Sequence, residues 1–142
     1  MKPNNEFKRV VVTGYGAVTP LGATADESWQ AMMDNRLGYR YVDKTAQNIN
    51  THFLGLVDNE PSLAGVPAVI RRRLPRFARL TVGAARQAMT MAFGVRPPQE
   101  YYCTLDCGVI MGTGWGGLDE SYDAQSEFAA AGVASPFNCF YS

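Results

Sequence analysis

Residues 9–22 read RVVVTGYGAVTPLG, and the rest of the chain can be interpreted outward from this stretch. Its first five residues are rich in β-branched side chains, which favour strands, and they run into Gly14 and Gly16. This pattern predicts a buried strand that enters a loop. Immediately afterwards, Thr24 and Glu27 have the spacing of a capping box, so a helix is expected to begin there.

Beyond the capping box, helix signals alternate with loop and strand signals. The first helix is predicted to place Trp29 on one face together with two methionines and to stop near Gly38. Residues 39–67 read as loop, interrupted by a short strand over residues 52–57.

A second helix is predicted from Leu74 onwards. Apolar and small residues recur there at steps of three or four, and Gly94 is expected to end the helix. An extended linker at Pro97 and Pro98 then leads to another apolar strand over residues 107–111. Strand, helix, strand, helix and strand in this order predict an α/β fold.

The overall composition is that of a globular chain without a net charge, so any charge-based partner must be met by a local patch. Its 142 residues are 46% hydrophobic and 18% charged, and 13 basic side chains balance 13 acidic ones. A net charge of zero argues against nucleic acid or an anionic membrane as a partner. No segment approaches the roughly 20 apolar residues of a membrane span. No secretory leader is recognised and the three cysteines are an odd number, so we expect a cytoplasmic location.

The residue inventory gives little support for metal or cofactor chemistry. His52 is the only histidine, and Cys103 and Cys107 have the wrong spacing for a zinc knuckle. We therefore expect no metal and no cofactor. A nucleophilic cysteine needs a nearby base, so Cys107 and Cys139 are interpreted as buried structural thiols. His52 is interpreted as a hydrogen-bonded strand residue.

Residues 108–117, GVIMGTGWGG, contain the pattern G-x-G-x-x-G after an apolar run. A dinucleotide-binding fingerprint also needs a following helix and an acidic residue about 20 positions further on. A helix from Leu118 is expected, but residues 135–142 contain no carboxylate. The acidic side chains at the start of that helix would repel a pyrophosphate, and Trp115 would crowd its approach. A dinucleotide-binding domain is therefore kept only as an alternative.

Five segments, taken in order, resemble the β-ketoacyl-acyl-carrier-protein synthases, the condensing enzymes of fatty acid and polyketide synthesis, and especially their elongating II-type branch. The segments are RVVVTGYGAVTPLG (9–22), TADESWQAMMDNRLG (24–38), RFARLTVGAARQAM (76–89), GVIMGTGWGG (108–117) and SPFNCFYS (135–142). The resemblance implies a thiolase-like fold assembled as a homodimer. Residues 1–142 would form the N-terminal portion of the synthase domain, within the first of its two α/β halves.

The resemblance also implies a reaction. Members of the family condense an acyl thioester with malonyl-acyl-carrier protein by decarboxylative Claisen chemistry, using a cysteine, two histidines and a lysine. None of those motif positions falls in residues 1–142, so no catalytic residue is assigned here. The catalytic segments are expected beyond Ser142, and the chain by itself is expected to be inactive. A non-catalytic relative that pairs with an active synthase and helps to set chain length stays open as an alternative.

A run of arginines is the clearest charged feature of the chain. Arg71, Arg72 and Arg73 precede the predicted second helix, where such a run would ordinarily be a solvated helix start and would oppose the helix dipole. The resemblance implies instead that basic residues here, Arg72 and Arg73 in particular, dock the acidic acyl carrier protein.

The resemblance places Trp115 at the floor of the acyl channel. An indole there would shorten or redirect the pocket, whereas the alternative is that it packs into the core. Phe137, Asn138 and Cys139 correspond to a segment that lines the channel across the dimer interface in relatives, and Asn138 departs from the usual apolar character.

Overall fold

The structure, a computed structural model, describes residues 9–133. Within this range it contains helices α1 (Ala25–Met33), α2 (Ala68–Arg73), α3 (Arg76–Phe93) and α4 (Leu118–Ala131), strands β1 (Arg40–Tyr41) and β2 (Phe53–Leu54), and short 3-10 turns at Thr45–Gln47, Pro98–Glu100 and Thr104–Asp106. The two strands pair antiparallel, with Arg40 opposite Leu54 and Tyr41 opposite Phe53. This part of the chain is therefore an α/β fragment in which helices predominate.

Helix α1 begins where the sequence predicts. The Thr24 hydroxyl accepts a hydrogen bond from the Glu27 N–H at 3.1 Å, and the Glu27 carboxylate accepts from the Thr24 N–H at 3.3 Å. The capping box is therefore confirmed. The residues that α1 buries are Ser28 and Ala31, whereas Trp29 is 61% exposed. The helix face that the sequence predicts to carry Trp29 is therefore exposed, and the opposite face packs against the described part of the fold.

The predicted second helix is confirmed as α3, and a separate short helix, α2, precedes it. Helix α2 ends at Arg73, Leu74 has an extended backbone, and α3 begins after Pro75. Proline removes a backbone donor and disfavours helical geometry in the residue before it, which explains the break. At the other end, Gly94 has a φ of +65° and ends α3 as predicted.

The glycine loop after residue 13 lies directly on α3. A Cβ on Gly14 would lie 2.1 Å from the carbonyl oxygen of Ala88, and a Cβ on Gly16 would lie 2.1 Å from that of Ala84. Only a residue without a side chain allows this approach, so both glycines are explained by packing.

Gln87 of α3 holds the same loop and the start of α1. Its Nε2 donates to the carbonyl oxygens of Ala17 at 3.1 Å and Ala23 at 2.8 Å. Its Oε1 accepts from the N–H groups of Ala17 and Ala25, both at 3.2 Å. One side chain therefore connects segments 62 to 70 residues away in sequence.

The strands expected over residues 9–13 and 107–111 do not form in the described structure. Val10 is 89% exposed and Ile110 is fully exposed. A strand requires a neighbour to complete its hydrogen bonds, and residues 9–133 provide none for either segment. These two segments therefore have a strand-forming composition but no neighbouring strand with which to pair. The strand predicted over residues 52–57 is shorter in the structure and covers Phe53–Leu54.

The hydrophobic core of residues 9–133 is small. Ala31 and Leu63 are its buried apolar residues, while many large apolar side chains are exposed. Surfaces of this kind normally pack against further protein. Of the helices between residues 9 and 133, none has the length and apolar character needed to cross a bilayer.

Candidate functional site

Five arginines form a cluster across the junction of α2 and α3, which we call the basic patch. Its members are Arg71, Arg72, Arg73, Arg76 and Arg79. The first three occupy the last turn of α2. The expectation that they open a helix and oppose its dipole is therefore wrong, because cations at a helix C-terminus are stabilising.

Glu60 neutralises one side of the basic patch. Its carboxylate oxygens lie 3.8 Å from Arg76 Nη1 and 3.7 Å from Arg79 Nη1. Arg71 and Arg72 are exposed and form no ion pair within residues 9–133. Both line a surface cavity of about 480 Å³ whose wall also includes Glu60 and Arg79. The charge available to a partner is therefore concentrated at the α2 end of the patch.

Glu120 of α4 caps the N-terminus of α3 from 44 residues away. Its Oε1 accepts a hydrogen bond from the Arg76 N–H at 3.2 Å, and its Oε2 is buried. Pro75, the residue at the cap position, supplies no side-chain bond. Burial, assisted by the neighbouring Asp119 carboxyl, raises the pKa of Glu120, while a hydrogen bond with Glu120 lowers the pKa of Asp119. A contact over this separation leaves no local sequence pattern, so sequence reasoning missed it.

Two glycines shape the loop before α4. A Cβ on Gly116 would lie 3.0 Å from the ring of Phe77, the second residue of α3, and 2.7 Å from the Thr113 hydroxyl. Gly117 is buried with a φ of +79°, a left-handed conformation that turns the chain into α4. These glycines therefore allow the loop to lie against α3.

The acidic side chains that argue against the dinucleotide alternative lie where the sequence predicts. Asp119 and Glu120 occupy the first turn of α4, where a phosphate would have to bind.

Trp115 lies at an open surface. Its side chain is 81% exposed and lines a groove of about 680 Å³ with Leu118, Asp119, Tyr122 and Asp123. The Trp115 carbonyl accepts a hydrogen bond from the Leu118 N–H at 3.2 Å, which ties the residue to the start of α4. Within residues 9–133 the indole therefore does not pack into a core. Phe137, Asn138 and Cys139, the other predicted pocket residues, lie outside the described residues.

The cysteines and the histidine form no catalytic arrangement among the described residues. Cys103 and Cys107 are exposed, so the expectation of a buried thiol at Cys107 is wrong in this structure. His52 Nδ1 accepts a hydrogen bond from the Lys44 N–H at 3.4 Å, and its ring stacks on Tyr41 at 5.4 Å. His52 is thus hydrogen-bonded as expected, just before β2. Between residues 9 and 133, no group of three or more metal-binding side chains comes together.

Comparison with known proteins gives a consistent match. The family model described as "Beta-ketoacyl synthase, N-terminal domain" matches residues 7–139. The chain is 34% identical over 137 residues to 3-oxoacyl-[acyl-carrier-protein] synthase 2 of Synechocystis sp., a match that covers 94% of this chain and 32% of that protein. It is 32% identical over 113 residues to the protein of the same name from Vibrio harveyi, covering 79% and 26%. A chloroplastic 3-oxoacyl-[acyl-carrier-protein] synthase II of Arabidopsis thaliana is 24% identical over 124 residues, covering 87% and 23%. The chain thus spans about a third or less of the length of these relatives.

Proposed function

The chain belongs to the β-ketoacyl synthase family, and on this premise we propose that it is the N-terminal portion of a 3-oxoacyl-[acyl-carrier-protein] synthase. The complete protein would join an acyl thioester to a malonyl unit on acyl carrier protein, with loss of carbon dioxide. The family match over residues 7–139 and the names of the relatives support this proposal. Residues 1–142 would supply scaffold, acyl pocket and docking surface.

The proposed architecture is a thiolase-like fold that works as a cytoplasmic homodimer. The uncovered apolar residues support it, because Val10 and Ile110 would then lie in strands completed by the remainder of such a domain. A condensation assay of the complete protein, with mass spectrometry of the acylated enzyme, tests the activity. Condensation through an acyl-cysteine is expected. A complete protein that takes up no acyl group would be the non-catalytic partner of a synthase, and the proposed reaction would then be wrong.

For the basic patch, we propose docking of acyl carrier protein. The observation that carries this proposal is the exposure of Arg71 and Arg72 without an ion pair in the described residues, since an acidic partner is steered by such charges. Arg73 is included because it shares the last turn of α2.

The docking proposal is tested by reversing charge in the complete protein. Arg72→Glu combined with Arg73→Glu should raise the apparent KM for carrier-bound substrates and leave the KM for an acyl-pantetheine thioester unchanged. Arg96→Glu is the matched control, because Arg96 is exposed beyond the far end of α3, about 27 Å along a helix of 18 residues. An unchanged carrier KM at low salt, where such attraction is strongest, would remove the docking role.

For Trp115, we propose a role in setting the length of the acyl pocket. Its exposure beside Leu118 and Tyr122 supports this, because these side chains form an apolar wall that a fatty acyl chain could contact. Phe137, Asn138 and Cys139 are included on the family resemblance alone. Trp115→Ile in the complete protein should shift kcat/KM towards longer acyl groups. A preference identical to that of the unaltered protein would show that Trp115 does not limit the pocket.

A further inference from the structure

The first turn of α3 carries Arg76 of the basic patch and also contacts the segment that includes Trp115. The Arg76 N–H donates to Glu120 of α4, at 3.2 Å. At the next position, the Phe77 ring lies beneath Gly116, where an added Cβ would lie only 3.0 Å from two ring carbons. Both contacts come from the segment that carries Trp115, so the first turn of α3 contacts that segment at two points.

The side chain of Arg76, a member of the basic patch, makes further contacts. Its guanidinium lies 3.8 Å from Glu60 and donates a hydrogen bond to the Val57 carbonyl oxygen. Arg76 is therefore bonded through its side chain to Glu60 and Val57 and through its backbone to Glu120. A partner that draws Arg76 away from Glu60 would act on the same turn that Glu120 caps.

Backbone hydrogen bonds connect Trp115 to the start of α4. The Leu118 N–H bonds to the Trp115 carbonyl at 3.2 Å, and the Ser121 N–H bonds to the Gly117 carbonyl at 2.9 Å. Glu120 lies in this first turn of α4. Trp115 is therefore connected by a backbone hydrogen bond to the turn that carries Glu120.

We propose that Glu120 is a positioning residue that couples occupation of the basic patch to the shape of the acyl pocket at Trp115. This inference rests on the proposed function, since it takes the patch as the carrier-docking surface and Trp115 as a pocket residue. Because such coupling is reciprocal in binding free energy, acyl chain length should also affect carrier affinity.

The coupling is measured by comparing two forms of substrate in the complete protein. The preference for a long over a short acyl group, as a ratio of kcat/KM values, is determined with the acyl group on carrier protein and again on pantetheine. Coupling requires the two ratios to differ. In Glu120→Ala we expect the difference to shrink by about fivefold, the effect of one lost hydrogen bond of about 1 kcal/mol.

Conservative variants separate positioning from a general loss of structure. Glu120→Gln keeps the acceptor oxygen and should retain the coupling that Glu120→Ala loses. Glu120→Asp keeps the charge, but its side chain is one methylene shorter, so this variant should lose the coupling. Glu127→Ala is the matched control, because Glu127 is exposed two turns further along α4. Should Glu120→Ala fail to fold, Glu120→Asp decides.

The outcomes distinguish this inference from the function on which it rests. A complete protein without condensing activity on either substrate form refutes the proposed function. An active protein whose two ratios are equal, or whose Glu120→Asp variant keeps the full difference, refutes the coupling and leaves the function standing. Loss of coupling in Glu120→Asp with recovery in Glu120→Gln supports it.

Discussion

Replacing Gln87 by leucine should release the glycine loop from α3. The variant removes the bonds from Nε2 to the carbonyl oxygens of Ala17 and Ala23, and those from the N–H groups of Ala17 and Ala25 to Oε1. Leucine has a similar size, so the loss of hydrogen bonds dominates the effect. It also leaves four backbone groups without their partner.

The expected loss follows from the number of bonds. Four hydrogen bonds at a net value of about 1 kcal/mol each give about 4 kcal/mol. The site is only partly buried, so water can replace some of the lost bonds, and we expect the free energy of unfolding to fall by about 2–4 kcal/mol. Urea-induced unfolding of the complete protein measures this quantity.

A matched substitution shows whether the effect belongs to the site. Gln125→Leu changes the same residue type at an exposed position of α4 and should alter the free energy of unfolding by less than about 0.5 kcal/mol. If Gln87→Leu costs no more than this control, the four bonds do not hold the loop and the reasoning is wrong.

Three further perturbations test other parts of the fold. Gly16→Ala places a Cβ 2.1 Å from a carbonyl oxygen of α3 and should lower the free energy of unfolding, measured in urea, by about 1–3 kcal/mol. Gly112 has open space around it, so Gly112→Ala should be nearly neutral. Equal effects of the two variants would contradict the packing account. Thr24→Ala removes the α1 cap and should cost about 1 kcal/mol in the same measurement, and no loss would mean that the capping box is not stabilising. Hydrogen bonding from Arg40 lowers the pKa of Asp58, so their pairing stabilises the fold above the ordinary pKa of an aspartate and is lost as the pH falls through the lowered value. In Asp58→Asn the decline in stability on acidification should be shallower, as measured by acid unfolding, and an unchanged acid profile would refute the contribution of the pair.

Local signals in the sequence predicted local structure well. The capping box depends on two residues three positions apart, and the end of α3 depends on one glycine, so both can be recognised without the rest of the fold. The short helix α2 was not predicted as a separate element, although Pro75 is a signal for the break between it and α3. Placing the arginines correctly at the end of α2 required that break.

Features that depend on distant contacts could not be predicted in the same way. The segments around Val10 and Ile110 have strand-forming composition, but a strand also requires a hydrogen-bonded neighbour. The roles of Gln87 and Glu120 depend on groups 44 to 70 residues away. The candidate residues Arg72 and Trp115 were found by family resemblance, whereas the contacts of the first turn of α3 with Glu120 and Gly116 emerged only from the structure.

The uncovered valines after Arg9 have a consequence for the behaviour of residues 9–133 produced alone. Val10 and Val12 are 89% and 85% exposed, and their segment pairs with no strand among these residues. Unpaired β-forming segments are prone to associate with one another. Production of residues 9–133 alone should therefore yield material that aggregates, with the segment around Val10 as one point of association between copies.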